Sequence, residues 1–375
     1  MEARTGTKVS LIDGSRLIVE SLVRSGADIY IGYPITPTNW IYAYSQKRFP
    51  MMLAAPDEIT TLQWMAGWSA AGYTPVTATS FPGFALMVES INMAFMMELP
   101  MVIVLAQRLG PSTGTATAGA QGDLLLINGL ISGGYPVPTF SPSNMIDCWK
   151  LPNIALRTAV ELRTPVIVLT SKEMVMTKFT VDLSELPELE PIRRKFYEGD
   201  KPYRPYLPRE NMVPEFLPVG NDRWQVRLTA STHNEDGIIQ HTSTEAMDNT
   251  RRLQAKMFRN LDSYLSFELD EVPGADTLLI SYGITALAAR EATRRMREMG
   301  YRISLLIVKT LIPVAPLFYQ IFQHYSRIVV AEENLNGEYK EILFGKNPGP
   351  NVVGVNAIGK MISPDDIIEG VLKND

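Results

Sequence analysis

The stretch from Met51 to Leu105, MMLAAPDEITTLQWMAGWSAAGYTPVTATSFPGFALMVESINMAFMMELPMVIVL, decides the fold. It opens on an apolar run, Met51 to Ala55, stopped by Pro56. Asp57 and Glu58 then start a helical segment of small residues, Ala66, Gly67, Ala70, Ala71 and Gly72, which runs to about Ala71. An apolar strand, Val76 to Thr79, follows. Ser80-Phe81-Pro82-Gly83-Phe84 reads as a Gly turn into a second helix, Phe84 to Glu98, and Met101 to Leu105 is a nearly continuous apolar strand. Such runs suit parallel strands buried on both faces. Strands alternating with helices imply βαβ units and a doubly wound parallel sheet. From position alone Glu58 reads as a helix-start acid, favoured there by the helix dipole by only ~0.3–1 kcal/mol.

The rhythm extends in both directions. Upstream, Gly14 to Ser25 has Leu17, Ile18, Leu22 and Val23 on one helical face, and Ile29 to Tyr33 is a strand ended by Pro34 and Pro37. Downstream, Gly and Thr crowd the loop Arg108 to Gly122. Helices near Asp123–Leu130 and Asn144–Leu162 and strands near Val137–Phe140 and Val166–Thr170 complete a first unit, 1–180. Seven prolines between Val181 and Val219 mark a linker or a strap along another surface. Gln225 to Leu228 is a possible strand, and a charged helix follows Thr244, so 181–270 is a Pro-rich and irregular segment. The α/β pattern resumes in 271–375, a second, smaller unit. Its strands are Thr277–Ser281, Ile303–Val308, Ile328–Ala331 and Val352–Val355. Its helices are Thr285–Met299, with Gly300 as C-terminal cap, Pro316–His324 and Pro364–Leu372.

Composition bounds the chemistry. The 375 residues are 46% hydrophobic and 20% charged with a net charge of −5, so a large core is available and nothing points to nucleic acid. Arg193-Arg194 and Arg251-Arg252 read as solvated pairs. No apolar run approaches the ~18–20 residues of a membrane span, and Met1-Glu2-Ala3-Arg4 lacks a signal peptide's apolar core, so a cytoplasmic location is expected. There are one cysteine and three histidines. Cys148 reads as a buried small hydrophobe. One thiol does not hold an iron–sulfur cluster, which usually takes four, and no spacing suggests zinc.

Four segments in order carry a resemblance: Gly32-Tyr33-Pro34-Ile35-Thr36-Pro37, Asp57-Glu58-Ile59, Gln107-Arg108-Leu109-Gly110-Pro111-Ser112-Thr113-Gly114, and Ser281-Tyr282-Gly283. Thr232-His233-Asn234-Glu235-Asp236-Gly237 and Thr250-Arg251-Arg252-Leu253 add to it. Together they resemble the alpha subunit of 2-oxoacid:ferredoxin oxidoreductases, thiamine diphosphate enzymes that oxidatively decarboxylate 2-oxo acids onto coenzyme A. The resemblance covers about residues 8 to 370. It implies a pyrimidine-binding α/β domain followed by a transketolase C-terminal-like α/β domain.

The resemblance also implies roles. Glu58 matches the glutamate that hydrogen-bonds the aminopyrimidine ring nitrogen and starts proton removal from the thiazolium carbon. Thr36 and Arg108 match contacts to the substrate carboxylate, with ordinary turn chemistry and a structural salt bridge as their alternatives. Arginine suits a carboxylate because its fork donates two parallel hydrogen bonds. Ile35, Gly83 and Phe84 are the remaining cofactor contacts implied. The chain has Gly122-Asp123 and Gly199-Asp200 but no Gly-Asp-Gly motif. The resemblance therefore implies half a site, with the diphosphate, Mg²⁺ and a [4Fe–4S] cluster on a beta subunit, ferredoxin as acceptor, and an (alpha-beta)2 assembly. 2-Oxoglutarate is the first substrate candidate; pyruvate, branched-chain and aryl 2-oxo acids stay open.

Three places depart from the family pattern: Phe81 where glycine is common, Ala118-Gly119-Ala120-Gln121 in place of a Lys-Thr-Glu-Gln-like run, and Ser132-Gly133-Gly134-Tyr135-Pro136 in place of a His-Gly element. They keep two rival readings open, a non-catalytic α/β binding subunit and a non-redox, transketolase-like half subunit. The loop Arg108 to Gly114 argues against the latter.

Overall fold

The structure, a computed structural model, describes residues 8–373. Met1 to Arg4, read above for a signal peptide, lie outside the described residues. β1 (Val9–Asp13) leads into α1 (Gly14–Arg24), capped by Asp13, whose carboxylate accepts from Arg16 N at 3.0 Å. There follow β2 (Ile29–Gly32), α2 (Asn39–Arg48), β3 (Met51–Ala54), α3 (Glu58–Ala70), β4 (Pro75–Thr79), α4 (Phe81–Met96) and β5 (Met101–Gln107). The unit continues through α5 (Leu124–Asn128), β6 (Thr139–Phe140), α6 (Met145–Leu162), β7 (Pro165–Ser171), α7 (Lys172–Met176) and β8 (Lys178–Asp182). After a long segment without helix or extended strand come α8 (Thr244–Arg259), β9 (Phe267–Asp270), β10 (Thr277–Tyr282), α9 (Thr285–Glu298), β11 (Ile303–Val308) and β12 (Thr310–Ile312). The last elements are α10 (Pro316–Phe322), β13 (Arg327–Glu332), α11 (Glu338–Phe344), β14 (Val352–Asn356) and α12 (Pro364–Leu372).

A seven-stranded sheet has the order β12-β6-β7-β5-β4-β2-β3, parallel except for β12. Every residue of β5 and β7 is buried, as their unbroken apolar runs require, and they pair in register from Met101 opposite Pro165 to Gln107 opposite Ser171. The chain passes from β2 to β3 on one side. It then returns to place β4 on the other side of β2 and builds outward through β5. The winding direction thus reverses between β2 and β4, and open α/β sheets bind ligands at the carboxyl edge of such a reversal.

The second sheet has the order β14-β13-β10-β11-β9, parallel except for β9. Its edge strand β9 lies before position 271, whereas β12 reaches back from beyond that position to pair with β6. Gly300 ends α9 at φ +93°, donating to Arg297 O at 3.0 Å, the C-terminal cap expected.

Several expectations need correction. Ser80 to Phe84 is not a free turn: α4 already starts at Phe81, with Pro82 in the first turn, where its missing N–H costs nothing. Gln225 to Leu228 forms no strand, because that stretch has no sheet edge to pair with and runs as irregular chain. The two arginine pairs are only half solvated. Arg193 and Arg251 are exposed, but Arg194 donates to Ser69 O at 2.7 Å and Tyr73 O at 2.8 Å, and Arg252 is buried. Arg252 and Lys256 of α8 both pair with Glu98, which is fully buried; Lys256 Nζ lies 2.7 Å from Glu98 Oε2. Pairing lets these ions be buried at all.

The Pro-rich segment is a strap. Trp149 Nε1 donates to Pro187 O at 2.8 Å, Ile192 N to Ser25 O at 2.7 Å, and Val219 N to Ala70 O at 3.0 Å. It therefore lies along α6, α1 and the end of α3. Cys148 is fully buried in the core, and burial raises its thiol well above the ordinary value.

Candidate functional site

The four adjacent strands β5, β4, β2 and β3 end at one edge of the large sheet. The residues that follow them are Arg108, Ser80 to Gly83, Tyr33 to Thr36, and Pro56 to Glu58. All candidate site residues are thus delivered to the carboxyl edge, two of the four segments flanking the β2/β4 reversal itself.

The acid pair at the start of α3 divides its labour. Asp57 is the N-cap: its carboxylate accepts from Thr60 N at 2.7 Å, and that backbone hydrogen bond holds its pKa below the ordinary value. With the capping role taken, Glu58 turns inward and is only 7% exposed. Its carboxylate lies against Gly83. A side-chain carbon added there would sit 2.5 Å from Glu58 Oε1 and 2.6 Å from Glu58 Cγ, and would also strike Thr79 Oγ1. The absence of a side chain at Gly83 is what leaves room for the Glu58 carboxylate. Ser80 Oγ is buried nearby in sequence without a hydrogen-bond partner.

Arg108 joins the segment after β2 to the segment after β5. It is 6% exposed, and its Nη1 donates to Thr36 O at 2.6 Å. That bond uses the Thr36 carbonyl, so the hydroxyl is not spent on it. Arg108 Nε is buried with no partner. Burial lowers the Arg108 pKa, and the charge of Asp123 opposes that shift. Ile35 and Thr36 are half-buried, while Phe84 is fully buried, with its ring in the core behind Gly83. Phe84 therefore supports this edge from beneath; its side chain does not face the cleft.

In the sequence Asp123 stands only as half of an incomplete Gly-Asp-Gly. In the structure it lies within the field of Arg108. Burial pushes it up to about 7, the charge of Glu338 adds to that, and Arg108 opposes it. Its Oδ2 has no hydrogen-bond partner. A basic residue after one buried strand and a lone acid fifteen residues later gave no spacing to read; only the fold of the intervening loop joins them.

That loop, Arg108 to Gln121, projects from the edge. Thr115 N donates to Leu109 O at 2.9 Å and Leu109 N to Ala118 O at 2.8 Å, and Gly114 at φ +49° packs where any side chain would collide with the Leu109 carbonyl. Its far end is fixed by Gln121. Gln121 N donates to Glu333 O at 2.7 Å and its Nε2 to Tyr282 O at 3.1 Å, while its Oε1 accepts from Thr285 Oγ1 at 2.9 Å and Glu333 N at 2.8 Å. Gly283, at φ +58°, leaves space for the same amide. The motif Ser281-Tyr282-Gly283 is thereby the seat of this loop on the second sheet. Among the described residues, no cluster of three or more His, Cys, Asp or Glu side chains is placed to hold a metal ion, and no helix is long and apolar enough to cross a membrane.

Residues 20–252 match the family described as pyruvate flavodoxin/ferredoxin oxidoreductase, thiamine diphosphate-binding. The chain belongs to this family. It is 30% identical over 371 residues to 2-oxoglutarate synthase subunit KorA of Methanocaldococcus jannaschii, across 97% of this chain and 100% of that one. Among solved structures it is similar to 2-oxoglutarate:ferredoxin oxidoreductase from Magnetococcus marinus, described with 2-oxoglutarate, coenzyme A and succinyl-CoA bound. That likeness has a TM-score of 0.91 at 27% identity and covers 98% of this chain and 65% of that chain. A split-gene transketolase, at 15% identity and TM-score 0.56, shares the fold.

Proposed function

We propose that this chain is the alpha subunit of a 2-oxoacid:ferredoxin oxidoreductase that converts a 2-oxo acid, 2-oxoglutarate first, to the acyl-CoA and CO₂. Thiamine diphosphate, when bound, supplies the carbanion stabilisation that decarboxylation of a 2-oxo acid needs. The observation that carries this reading is the buried Glu58 carboxylate packed directly on Gly83 at the β2/β4 reversal. With the capping role taken by Asp57, this acid is left to hydrogen-bond a ring nitrogen presented at the sheet edge.

In this reading Glu58 hydrogen-bonds the aminopyrimidine ring nitrogen and holds a proton there. Gly83 and Ile35 border the ring, and Phe84 backs it from the core. Arg108, oriented by its bond to the Thr36 carbonyl, takes the substrate carboxylate together with the Thr36 hydroxyl. A substrate oxygen would give the buried Arg108 Nε the acceptor it lacks. The diphosphate, Mg²⁺, a [4Fe–4S] cluster and the route to ferredoxin belong to a beta subunit, in an (alpha-beta)2 assembly in the cytoplasm. Exposed apolar side chains beside the site, Ile59 at 43%, Trp64 at 40% and Leu86 at 52%, support cover by such a subunit. Pyruvate and branched-chain or aryl 2-oxo acids are the competing substrates.

The test is to co-purify the chain with its partner and measure coenzyme A-dependent reduction of a viologen dye with each 2-oxo acid. Glu58→Gln should lower kcat by roughly 10²–10⁴, the usual range for a lost acid–base group. A wild-type rate in that variant would remove Glu58 from the mechanism. A preference for another 2-oxo acid would replace 2-oxoglutarate.

A further inference from the structure

At the opposite, amino-terminal edge of the large sheet lies a cavity of about 1050 Å³ between the sheet and the strap. Its floor is formed by two arginines. Arg163, just past α6 and only 3% exposed, donates from Nε to Glu98 O at 3.3 Å and from Nη1 to Pro205 O at 2.9 Å and Glu215 O at 2.7 Å. Its Nη2 is buried with no partner. Arg194, on the strap, spends Nη1 on two carbonyls, and its Nη2 is also buried with no partner. Both guanidinium groups stack on the Phe216 ring, at 5.2 and 3.8 Å from its centre.

Among the described residues, no carboxylate is hydrogen-bonded to either arginine. The five hydrogen bonds donated by their Nε and Nη1 atoms all run to backbone carbonyls. The buried carboxylate closest in this network, Glu98, is already engaged by Arg252 and Lys256. Asp28 acts on Arg194 only through its field. Positive charge is therefore in excess in a buried region, and each arginine has an unfilled donor. Burying an unpaired cation is costly, and an anion supplied from outside removes that cost. Consistent with this, burial and the neighbouring Arg163 charge pull Arg194 down to about 9.

We propose that this cavity binds a phosphate-bearing small molecule, drawn by the charge of Arg163 and Arg194, whose Nη2 donors, now sealed from solvent beside the Phe216 ring, turn to meet its oxygens. Two adjacent guanidinium groups favour a multiply charged phosphate over a single carboxylate, because the fork geometry matches phosphate oxygens. The volume is at the upper end of small-ligand pockets. Besides Arg163 and Arg194 the lining carries four basic and four acidic side chains, which balance, so the net attraction for an anion comes from the two buried arginines. β7 separates this cavity from the candidate active site by its seven residues, roughly 23 Å. The ligand would therefore fix the strap without competing for the Glu58 site.

The experiment is isothermal titration of the chain with sodium pyrophosphate at constant ionic strength, with sodium sulfate and chloride controls. Saturable one-site binding is expected. Arg194→Gln should weaken it by roughly tenfold or more, the worth of hydrogen bonds to a charged partner. Lys195→Glu, on the exposed wall where no fold contact depends on it, should weaken it several-fold. Arg108→Gln, at the other edge, should leave it unchanged. Circular dichroism reports whether Arg194→Gln folds; if it does not, Lys195→Glu decides. Absence of saturable binding by the wild-type chain overturns the proposal. So does binding that survives Lys195→Glu unchanged or is abolished by Arg108→Gln.

Discussion

Gly83→Ala is the sharpest probe of the site, because it changes one methyl group and no charge. Built on the existing backbone, the new Cβ would lie 2.5 Å from Glu58 Oε1 and 2.6 Å from Glu58 Cγ. Ordinary contact for such atoms begins near 3.4 Å, so close to 1 Å of relief is required. Two groups can yield. α4 can shift, but Gly83 sits in its first turn and the next residue, Phe84, is locked in the core at 0% exposure. The Glu58 side chain can rotate away, which relieves its own contact but leaves the one with the buried Thr79 Oγ1 for α4 to absorb. Overpacking of this kind costs about 1–3 kcal/mol when the backbone must absorb it; rotation of Glu58 costs less stability and more function. A 1 Å misplacement of a catalytic group lowers rate by about 10²-fold. The expected result is a folded chain with a melting temperature within a few degrees of wild type. The co-purified complex should show kcat in the viologen assay reduced about a hundredfold, with weaker apparent affinity for thiamine diphosphate. Wild-type kcat and cofactor affinity in a folded Gly83→Ala complex would refute the claim that Glu58 works in the space this glycine leaves.

Arg108→Lys should cut kcat/KM for the 2-oxo acid mainly through KM. A lysine cannot both hold the Thr36 carbonyl and present a second donor, and loss of a charged hydrogen bond is worth about 1.5–3 kcal/mol, roughly 10- to 150-fold. An unchanged KM would return Arg108 to a structural role. Glu98→Gln should destabilise the chain by about 3–5 kcal/mol in urea unfolding, since it leaves Arg252 and Lys256 as unpaired buried cations; a change below 1 kcal/mol would mean that the pair is not buried in solution. Asp123→Asn tests the raised pKa of about 7. Between pH ~4 and 7 the folded wild type keeps a proton that the unfolded chain has released, so this group's contribution falls as pH rises. The variant should match wild type near pH 3.5 and be more stable above pH 7, with about 4 kcal/mol as the ceiling. Parallel melting temperatures from pH 5 to 8 would show that Asp123 is ionised throughout.

The legible part of the fold is the part written in period and run length. Unbroken apolar runs located β5 and β7, and Leu17, Ile18 and Leu22 located α1, because burial on both faces or on one helical face leaves those patterns. α2 left none. Only Ile41 and Ser45 of its ten residues are buried, so no apolar stripe existed to find. α11 buries only Tyr339 and Leu343, one turn apart, and is too short to register. β12 is three residues whose strand character comes wholly from β6, a partner 170 residues away in sequence.

The site was legible where local rules discriminate and silent where they do not. Two adjacent acids, Asp57 and Glu58, are equivalent to a reader of composition. The capping rule separates them, since aspartate reaches the third amide of its own helix and glutamate is left for other work. The charged residues of α8 failed for the opposite reason. Asn249, Arg252, Leu253, Lys256 and Met257 lie on one helical stripe, and all five are buried. A cation on an apolar stripe is a signal that an acid must come to meet it, because burial without one is prohibitive. Arg251-Arg252 is not a solvated pair because Leu253 and Met257 share the face of Arg252 and not that of Arg251. What no local rule supplies is the identity of the partner, Glu98, 154 residues away in sequence. The same logic, run forward, applies to Arg163 and Arg194: they too are cations committed to buried positions, but among the described residues no carboxylate is hydrogen-bonded to them.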